Sequence, residues 1–354
     1  MEAIVAQLAD TVRTAGAQGQ ALCIRAGGTK DFYGGPARGE TLGLSAYRGI
    51  VDYEPTELIL TARAGTPLAE IDRTLAERAQ MLAFEPPHFG PATTLGGAIA
   101  AGLAGPRRPY AGAARDFVLG VRVIDGAGRD LRFGGQVMKN VAGFDVSRLM
   151  AGSLGTLGLL LEISLKVLPR PVAEATLRFE LSAADALQRV NQWAGLPLPL
   201  SATAWHAGLL SLRLSGAGAA VDAAQRKLGG ERIDLARAEP YWTCVRDHAD
   251  PFFKSPLPLW RLSVKSTSPP LDLPGVQFIE WGGALRWLAS SADAPAVRAA
   301  AVYGGGHATL FRGGNKAAGV FHPLPATLLR LHKKLKAALD PAGILNPGRL
   351  YSDF

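Results

Sequence analysis

Along the first 170 residues, short alternating and short apolar runs are broken by dense glycine turns. Residues 1–20 read as an Ala-rich amphipathic helix. Leu22-Cys23-Ile24 is a short strand that runs straight into a glycine loop. Ile50–Tyr53 and Leu58–Thr61 are strand-like, with Glu54-Pro55-Thr56-Glu57 as the turn. Pro67, after Thr66, stands at the first position of a helix that runs through Ile71 and Leu75 to about Ala79. Val118–Ile124 and Arg129–Phe133 pattern as a hairpin around Asp125-Gly126-Ala127-Gly128. Leu159–Leu168 is a strand with Glu162, Ser164 and Lys166 at alternate positions, and Pro169-Arg170-Pro171 ends it.

Beyond Pro171 the texture changes. Strand-like segments (175–181, 209–214, 259–264, 276–281) alternate with helical ones (183–193, 219–228, 294–302). This predicts an α+β layer, an antiparallel sheet with helices on one face. A last amphipathic helix spans 328–339, its Lys-rich side reading as a solvated face. The expected organisation is a first domain over 1–171, an α+β cap over 172–320, and a C-terminal segment, 321–354, that returns to the first domain. With 354 residues, the chain is too long for one ordinary core.

Composition narrows the function classes. Charged residues make up 19% and hydrophobic ones 48%, which marks a globular rather than a disordered chain. The net charge is +8, but Lys and Arg are scattered and no basic–aromatic motif appears, so nucleic acid is not an expected partner. Cys23 and Cys244 lie far apart without metal spacing and read as free thiols of a reducing cytoplasm. The N-terminus lacks a signal peptide's basic start and apolar run. No apolar stretch is long enough for a transmembrane helix, so any membrane association is expected through a partner.

Three glycine-dense loops carry the chemistry. The first is Arg25-Ala26-Gly27-Gly28-Thr29-Lys30-Asp31, where successive N–H groups can converge on an anion and Arg25 and Lys30 add positive charge. It matches neither a P-loop nor a dinucleotide fingerprint, and alone it reads equally well as a plain glycine turn. The second is Phe84-Glu85-Pro86-Pro87-His88, followed by Thr93-Thr94-Leu95-Gly96-Gly97 through Gly102. Thr94 is placed to cap a short helix of small residues, whose open N–H groups suit a diphosphate. The third runs from Met138 through Gly143 to Val146, then Ala151-Gly152-Ser153-Leu154-Gly155-Thr156-Leu157-Gly158. Three such loops in this order say more than any one.

Together they resemble the FAD-binding domain of the vanillyl-alcohol-oxidase and para-cresol-methylhydroxylase (PCMH-type) superfamily. The match covers roughly residues 20–170 and resumes at Leu339-Asp340-Pro341 through Asn346-Pro347-Gly348-Arg349. Within it the chain is similar to the small FAD-binding subunits of bacterial glycolate oxidases. The segments that carry this are Gly105-Pro106-Arg107-Arg108-Pro109-Tyr110, the stretch from Phe133 to Gly143, and Gly304-Gly305-Gly306-His307 through Arg312.

The resemblance implies a fold of two α+β FAD subdomains with an antiparallel-sheet cap. It implies that Gly27, Gly28, Thr29 and Lys30 wrap the FAD diphosphate, and that Pro86, Pro87, Gly96, Gly97 and Gly102 line the flavin and ribityl chain. Gly152, Gly155 and Thr156 would close the adenosine side, and Asn346 would return to the flavin region. Covalent relatives place a His where this chain has Thr29, so non-covalent FAD is expected. The implied partners are a larger FAD-containing subunit and an iron–sulfur subunit. Two cysteines are too few for a cluster in this chain.

Oxidation of a 2-hydroxy acid requires a base for the hydroxyl proton and a cation for the carboxylate. Family members that perform it carry Gly-His-x-Gly-Asp-Gly-Asn-x-His. Here only His307 of that run is present. The leading expectation is therefore an FAD subunit of a larger enzyme, its flavin a relay or structural. A self-sufficient D-2-hydroxyacid dehydrogenase using His307 or His88, and a non-catalytic scaffold, are the alternatives. His206 and His248 read as core or surface groups, His322 and His332 as exposed, and no pair has metal spacing.

Overall fold

A computed structural model describes residues 1–135 and 145–352. Helix α1 (Glu2–Gln18) buries Val5, Leu8, Ala9, Val12 and Ala15 along one stripe and stops at Gly19, whose φ of 63° is the left-handed cap. A parallel pair follows, β1 (Leu22–Arg25) and β2 (Glu40–Gly43). Then come β3 (Ile50–Glu54), β4 (Ile59–Arg63), α2 (Leu68–Ala76), the short β5 (Gln80–Met81) and α3 (Leu95–Ala101). The half is completed by β6 (Val118–Ile124), β7 (Asp130–Gly134), β8 (Leu159–Lys166) and β9 (Leu168–Pro169).

Five of these strands form an antiparallel sheet in the order β3-β4-β8-β6-β7. One face packs on α2 and α3 through Leu60, Ile71, Leu95, Ile99 and Ile163. The other packs under α1 through Val12, Ile124, Leu159 and Leu161. Central β8 is therefore covered on both sides, and its expected polar alternation is only partial. Ser164 is buried and bonded to Thr61, and Glu162 accepts from Tyr47 Oη at 2.8 Å and Arg122 at 3.1 Å. Buried Arg122 also holds Asp130 and Glu2, which ties α1 to the sheet.

The second sheet has eight antiparallel strands: β10 (Ala173–Glu180), β11 (Leu200–His206), β12 (Leu209–Gly216), β13 (Glu231–Ile233), β14 (Leu259–Ser263), β15 (Val276–Glu280), β16 (Leu285–Ala289) and β17 (His307–Arg312). Their order is β13-β10-β12-β11-β15-β16-β14-β17. Helices Ala183–Ala194, Gly218–Leu228 and Ala294–Tyr303 cover one face.

The expectation of helices on one face only is corrected by Leu235–Arg246. This helix contains Pro240, and it packs Trp242 and Val245 on the opposite face, with Trp242 Nε1 donating to Thr176 of β10. Strands β11, β16 and β17 also escape the sequence pattern. The five residues of β16 are all buried, so no alternation marks it.

The chain then returns to its start. Helix Ala326–Leu339 does not carry a purely solvated basic face: Lys336 is buried, and its Nζ donates to Thr156 O and Leu345 O, both at 2.8 Å, and to Asp340. A three-way satisfied ammonium can be buried where a lone one is costly. Leu345 then pairs in parallel with Leu22, joining the C-terminus to β1.

Candidate cofactor site

The loop between β1 and β2, the start of α3 and the 154–160 turn line a cavity that is partly open to solvent. Its first wall is Arg25, Gly27, Gly28, Thr29 and Lys30. Gly27 is required by a close approach: a Cβ there would lie 1.6 Å from the carbonyl oxygen of Ala92. Thr29 Oγ1 is 2.8 Å from Thr93 Oγ1, which ties this loop to the one before α3.

The second wall is Thr94, Gly96 and Gly97. Thr94 caps α3, its hydroxyl accepting from the Gly97 N–H at 3.3 Å. Gly155 and Asn346 line the third side. Asn346 is buried, accepts from Ile24 N at 2.7 Å and donates to Leu154 O at 2.6 Å, so one side chain from the C-terminus clamps two walls.

The two cations of the first loop differ. Arg25 is half exposed and paired with Asp31 at 2.7 Å. Lys30 Nζ is buried with no hydrogen-bond partner and sits 5.5 Å above the Phe89 ring. Burial pushes its pKa down to about 8 against a smaller opposing pull from Asp247. Lys30 lines the cavity, and its buried ammonium has no hydrogen-bond partner within the protein. Glycine-lined walls, bare backbone and an orphaned cation fit a flat cofactor that carries a diphosphate.

Other expected site residues stand elsewhere. Pro86 and Pro87 are buried off the cavity wall, beside Glu85, which pairs with Arg107 and Arg213. Gly102 and Gly152 pack on each other, since a Cβ on Gly102 would come within 2.8 Å of Gly152 Cα. Thr156 is fully buried, its hydroxyl donating to Ser153 O at 2.7 Å, away from the cavity. Gly143 lies outside the described residues. His307 opens β17, exposed and off the wall. His88 Nε2 is 3.1 Å from Asp72 Oδ2 and the His88 backbone N–H donates to Asp247, so the side chain faces a carboxylate rather than the cavity.

The sequence reading missed Cys23, Asp31, Ala64, Leu154, Leu160 and Arg349. Arg349 was within reach, because it closes the same segment as Asn346, and its guanidinium holds the carbonyls of Tyr33 and Gly35. Ala64 and Leu160 are ordinary strand residues, and nothing local sets them apart.

Leu154 and Ala101 belong both to the cavity wall and to a second, aromatic core beneath the eight-stranded sheet. There His248 stacks on Phe253 with centroids 4.1 Å apart, Trp287 lies 4.6 Å away and Phe311 5.3 Å. Burial holds the His248 imidazole well below its usual pKa, which keeps it neutral. Among the described residues no group of three or more metal-ligating side chains occurs, and no helix is long and apolar enough to cross a membrane.

The architecture is that of the FAD-linked oxidases. The FAD binding domain family matches residues 4–134, and the C-terminal domain family of FAD linked oxidases matches 313–350. Substrate-bound p-cresol methylhydroxylase superposes with a TM-score of 0.70 at 15% identity, covering 99% of this chain and 88% of that one. Alkyldihydroxyacetonephosphate synthase gives 0.65 at 15% identity, covering 96% and 74%. Glycolate oxidase subunit GlcE of Escherichia coli is 51% identical over 332 residues, 94% of this chain and 93% of that one. The chain belongs to the family of that glycolate oxidase subunit. D-2-hydroxyglutarate dehydrogenase of Xanthomonas citri is 32% identical, but over 52% of this chain and 40% of its own length. Glycolate oxidase subunit GlcD of Bacillus subtilis is 36% identical over 33% and 25%.

Proposed function

We propose that this chain is the FAD-binding subunit of a glycolate dehydrogenase complex that oxidises glycolate and related D-2-hydroxy acids to 2-oxo acids. The observation that carries the reading is the end-to-end similarity, at 51% identity, to a glycolate oxidase subunit. The partners in this reading are a larger FAD-containing subunit and an iron–sulfur subunit, and any placement at a membrane comes through them.

FAD bound here supplies a two-electron acceptor. In this reading it is held without a covalent bond, because Thr29 offers no ring nitrogen to attach it. Gly27 to Lys30 would hold the diphosphate through their backbone N–H groups, and the Lys30 ammonium would neutralise part of its charge. Thr94, Gly96 and Gly97 leave backbone open at the start of α3, and Gly155 does so on the far side. Asn346 keeps β1 and the Leu154 turn at a fixed separation, so the walls need not reorganise on binding. Leu44, Leu154 and Leu160 exclude water from the apolar part of the ligand.

Neither His307 nor His88 reaches the cavity wall. That favours a relay or structural flavin in this chain over direct oxidation of the hydroxy acid by it. The test is a visible spectrum of the purified chain, acid release of flavin, and anaerobic addition of glycolate. Releasable flavin that stays oxidised until the larger subunit is added supports the reading. Bleaching by glycolate without partners would make the chain a dehydrogenase in its own right. Failure to take up FAD would defeat the proposal.

A further inference from the structure

The Gly27–Lys30 stretch that lines the cofactor cavity runs on without a break into the turn Asp31-Phe32-Tyr33-Gly34-Gly35. Backbone bonds stitch the two together: Asp31 N–H donates to Gly28 O at 3.1 Å and Tyr33 N–H to Lys30 O at 3.0 Å. The carbonyls of the turn itself are left for other donors. Two cations from the far end of the chain take them. Arg349 donates to the carbonyls of Asp31, Tyr33 and Gly35. Lys316 Nζ donates to Phe32 O at 2.6 Å and to Gly34 O at 2.9 Å. Every carbonyl from Asp31 to Gly35 is thus met by one of these two side chains.

The two cations reach the turn by different routes. Arg349 lines the cavity and closes the segment that carries Asn346, so it could touch a ligand directly. Lys316 does not line the cavity and comes from the eight-stranded sheet. Strand β17 ends at Arg312, whose guanidinium lies 4.7 Å from the centroid of the Phe32 ring. Gly313 and Gly314, with φ of 69° and 66°, then turn the chain in a conformation that other residues seldom adopt. Asn315 caps a single helical turn, its Oδ1 accepting from Ala317 N–H at 2.9 Å, and Lys316 opens that turn. Burial, and then the charge of Arg349, hold the Lys316 pKa below its usual value. Two like charges therefore stand close together, and backbone carbonyls meet both through charge-assisted bonds.

We propose that Lys316 is a positioning residue for the cofactor: from the second half of the chain it fixes the 31–35 turn, and through that turn the Gly27–Lys30 wall, before FAD arrives. A loop ordered in advance has less freedom to lose when its ligand binds, so affinity rises. Without the ammonium, Phe32 O and Gly34 O turn to water and the turn samples other arrangements. Only a fraction of the flavin-free chains then presents the finished wall, and the apparent affinity falls by that fraction. The inference rests on FAD occupying this cavity and is independent of the glycolate reading.

The test is a titration of the flavin-free, full-length chain with FAD, followed by flavin fluorescence, for wild type, Lys316→Met and Lys316→Arg. Lys316→Met is expected to raise the dissociation constant roughly 5- to 30-fold, the effect of losing charge-assisted bonds that hold only the turn. Lys316→Arg restores a cation with several donors and should recover most of that loss. The visible spectrum of bound flavin should be the same in all three, because the side chain does not reach the cavity. Amide hydrogen exchange of the flavin-free chains is the second readout. The N–H groups of Tyr33 and Gly35 should exchange faster in Lys316→Met, while those of central β8 exchange as in wild type. Unchanged affinity in Lys316→Met, no recovery in Lys316→Arg, or weaker binding without faster exchange at Tyr33 and Gly35 would each overturn the assignment. If Lys316→Met does not fold, Lys316→Gln carries the same comparison. A wild-type chain that takes up no FAD would defeat the cofactor reading, while exchange at Tyr33 and Gly35 would still decide whether Lys316 holds the turn.

Discussion

The two sides of Leu154 are built on opposite principles. On one side, the cavity wall is made by leaving side chains out, at Gly27, Gly28, Gly96, Gly97 and Gly155. On the other, the space under the eight-stranded sheet is filled by Tyr33, Phe253, Trp287 and Phe311. Space obtained by omission presents backbone donors to a ligand and adds little packing energy. Space filled by aromatics adds stability and presents few backbone donors. Binding and stability should therefore separate along this line, and substitutions can break or sharpen the division.

The largest effect is expected on the aromatic side. Phe311 is fully buried, and Phe311→Ala should cost roughly 3–5 kcal/mol of stability in chemical denaturation, through lost transfer energy and a residual cavity. Flavin content at low temperature should be nearly unchanged. If flavin is lost while stability holds, the division is wrong.

Gly27→Ala is the mirror experiment. Its Cβ meets backbone rather than a flexible side chain, so the loop must shift, at a cost of about 1–3 kcal/mol. Flavin content of the purified protein should fall sharply. A normal flavin load in this variant would remove the first loop from the site.

Lys30→Met tests the charge alone. Flavin dissociation constants should rise about 10- to 100-fold, as expected for losing a charge-assisted contact. The flavin-free protein should be no less stable at pH 7, because the substitution removes a buried cation that has no hydrogen-bond partner.

The smallest effect is a pH dependence. In the flavin-free chain Lys30 has its pKa lowered from 10.5 to about 8, so between those values the unfolded chain binds more protons than the folded one. The cost of burying the charge is full below about pH 8 and is relieved as pH rises toward 10.5, so stability should gain over that window. Thermal melts of wild type and Lys30→Met across it should differ by this increment, and parallel curves would place the Lys30 ammonium in water.

What was legible in the sequence had local causes. The strand–glycine–glycine entry to the first loop, the Thr94 cap and the hairpin Val118–Gly134 are each decided within a few residues. The Asn346 segment was legible by resemblance, and the structure joins it to β1 and to Leu154. Thr156 looked like part of the third loop's chemistry, but its hydroxyl is turned to Ser153 O. Pro86 and Pro87 looked like a cofactor wall, but the chain buries them beside the ion pairs of Glu85. A one-dimensional pattern carries no sign of which way a loop residue turns.

By itself, then, the sequence determined most elements of the first half, though not β2 or β5, together with the three glycine loops and the superfamily they resemble, because turn chemistry and side-chain period act over short spans. Tertiary structure alone decided that Lys336 is buried, that Arg349 and Ala64 join the cavity wall, and that Arg108 and Arg261 share Trp281. Burial and charge pairing are properties of three-dimensional neighbours. Residues 108 and 261 become neighbours only when a loop of the first half docks on a strand of the second.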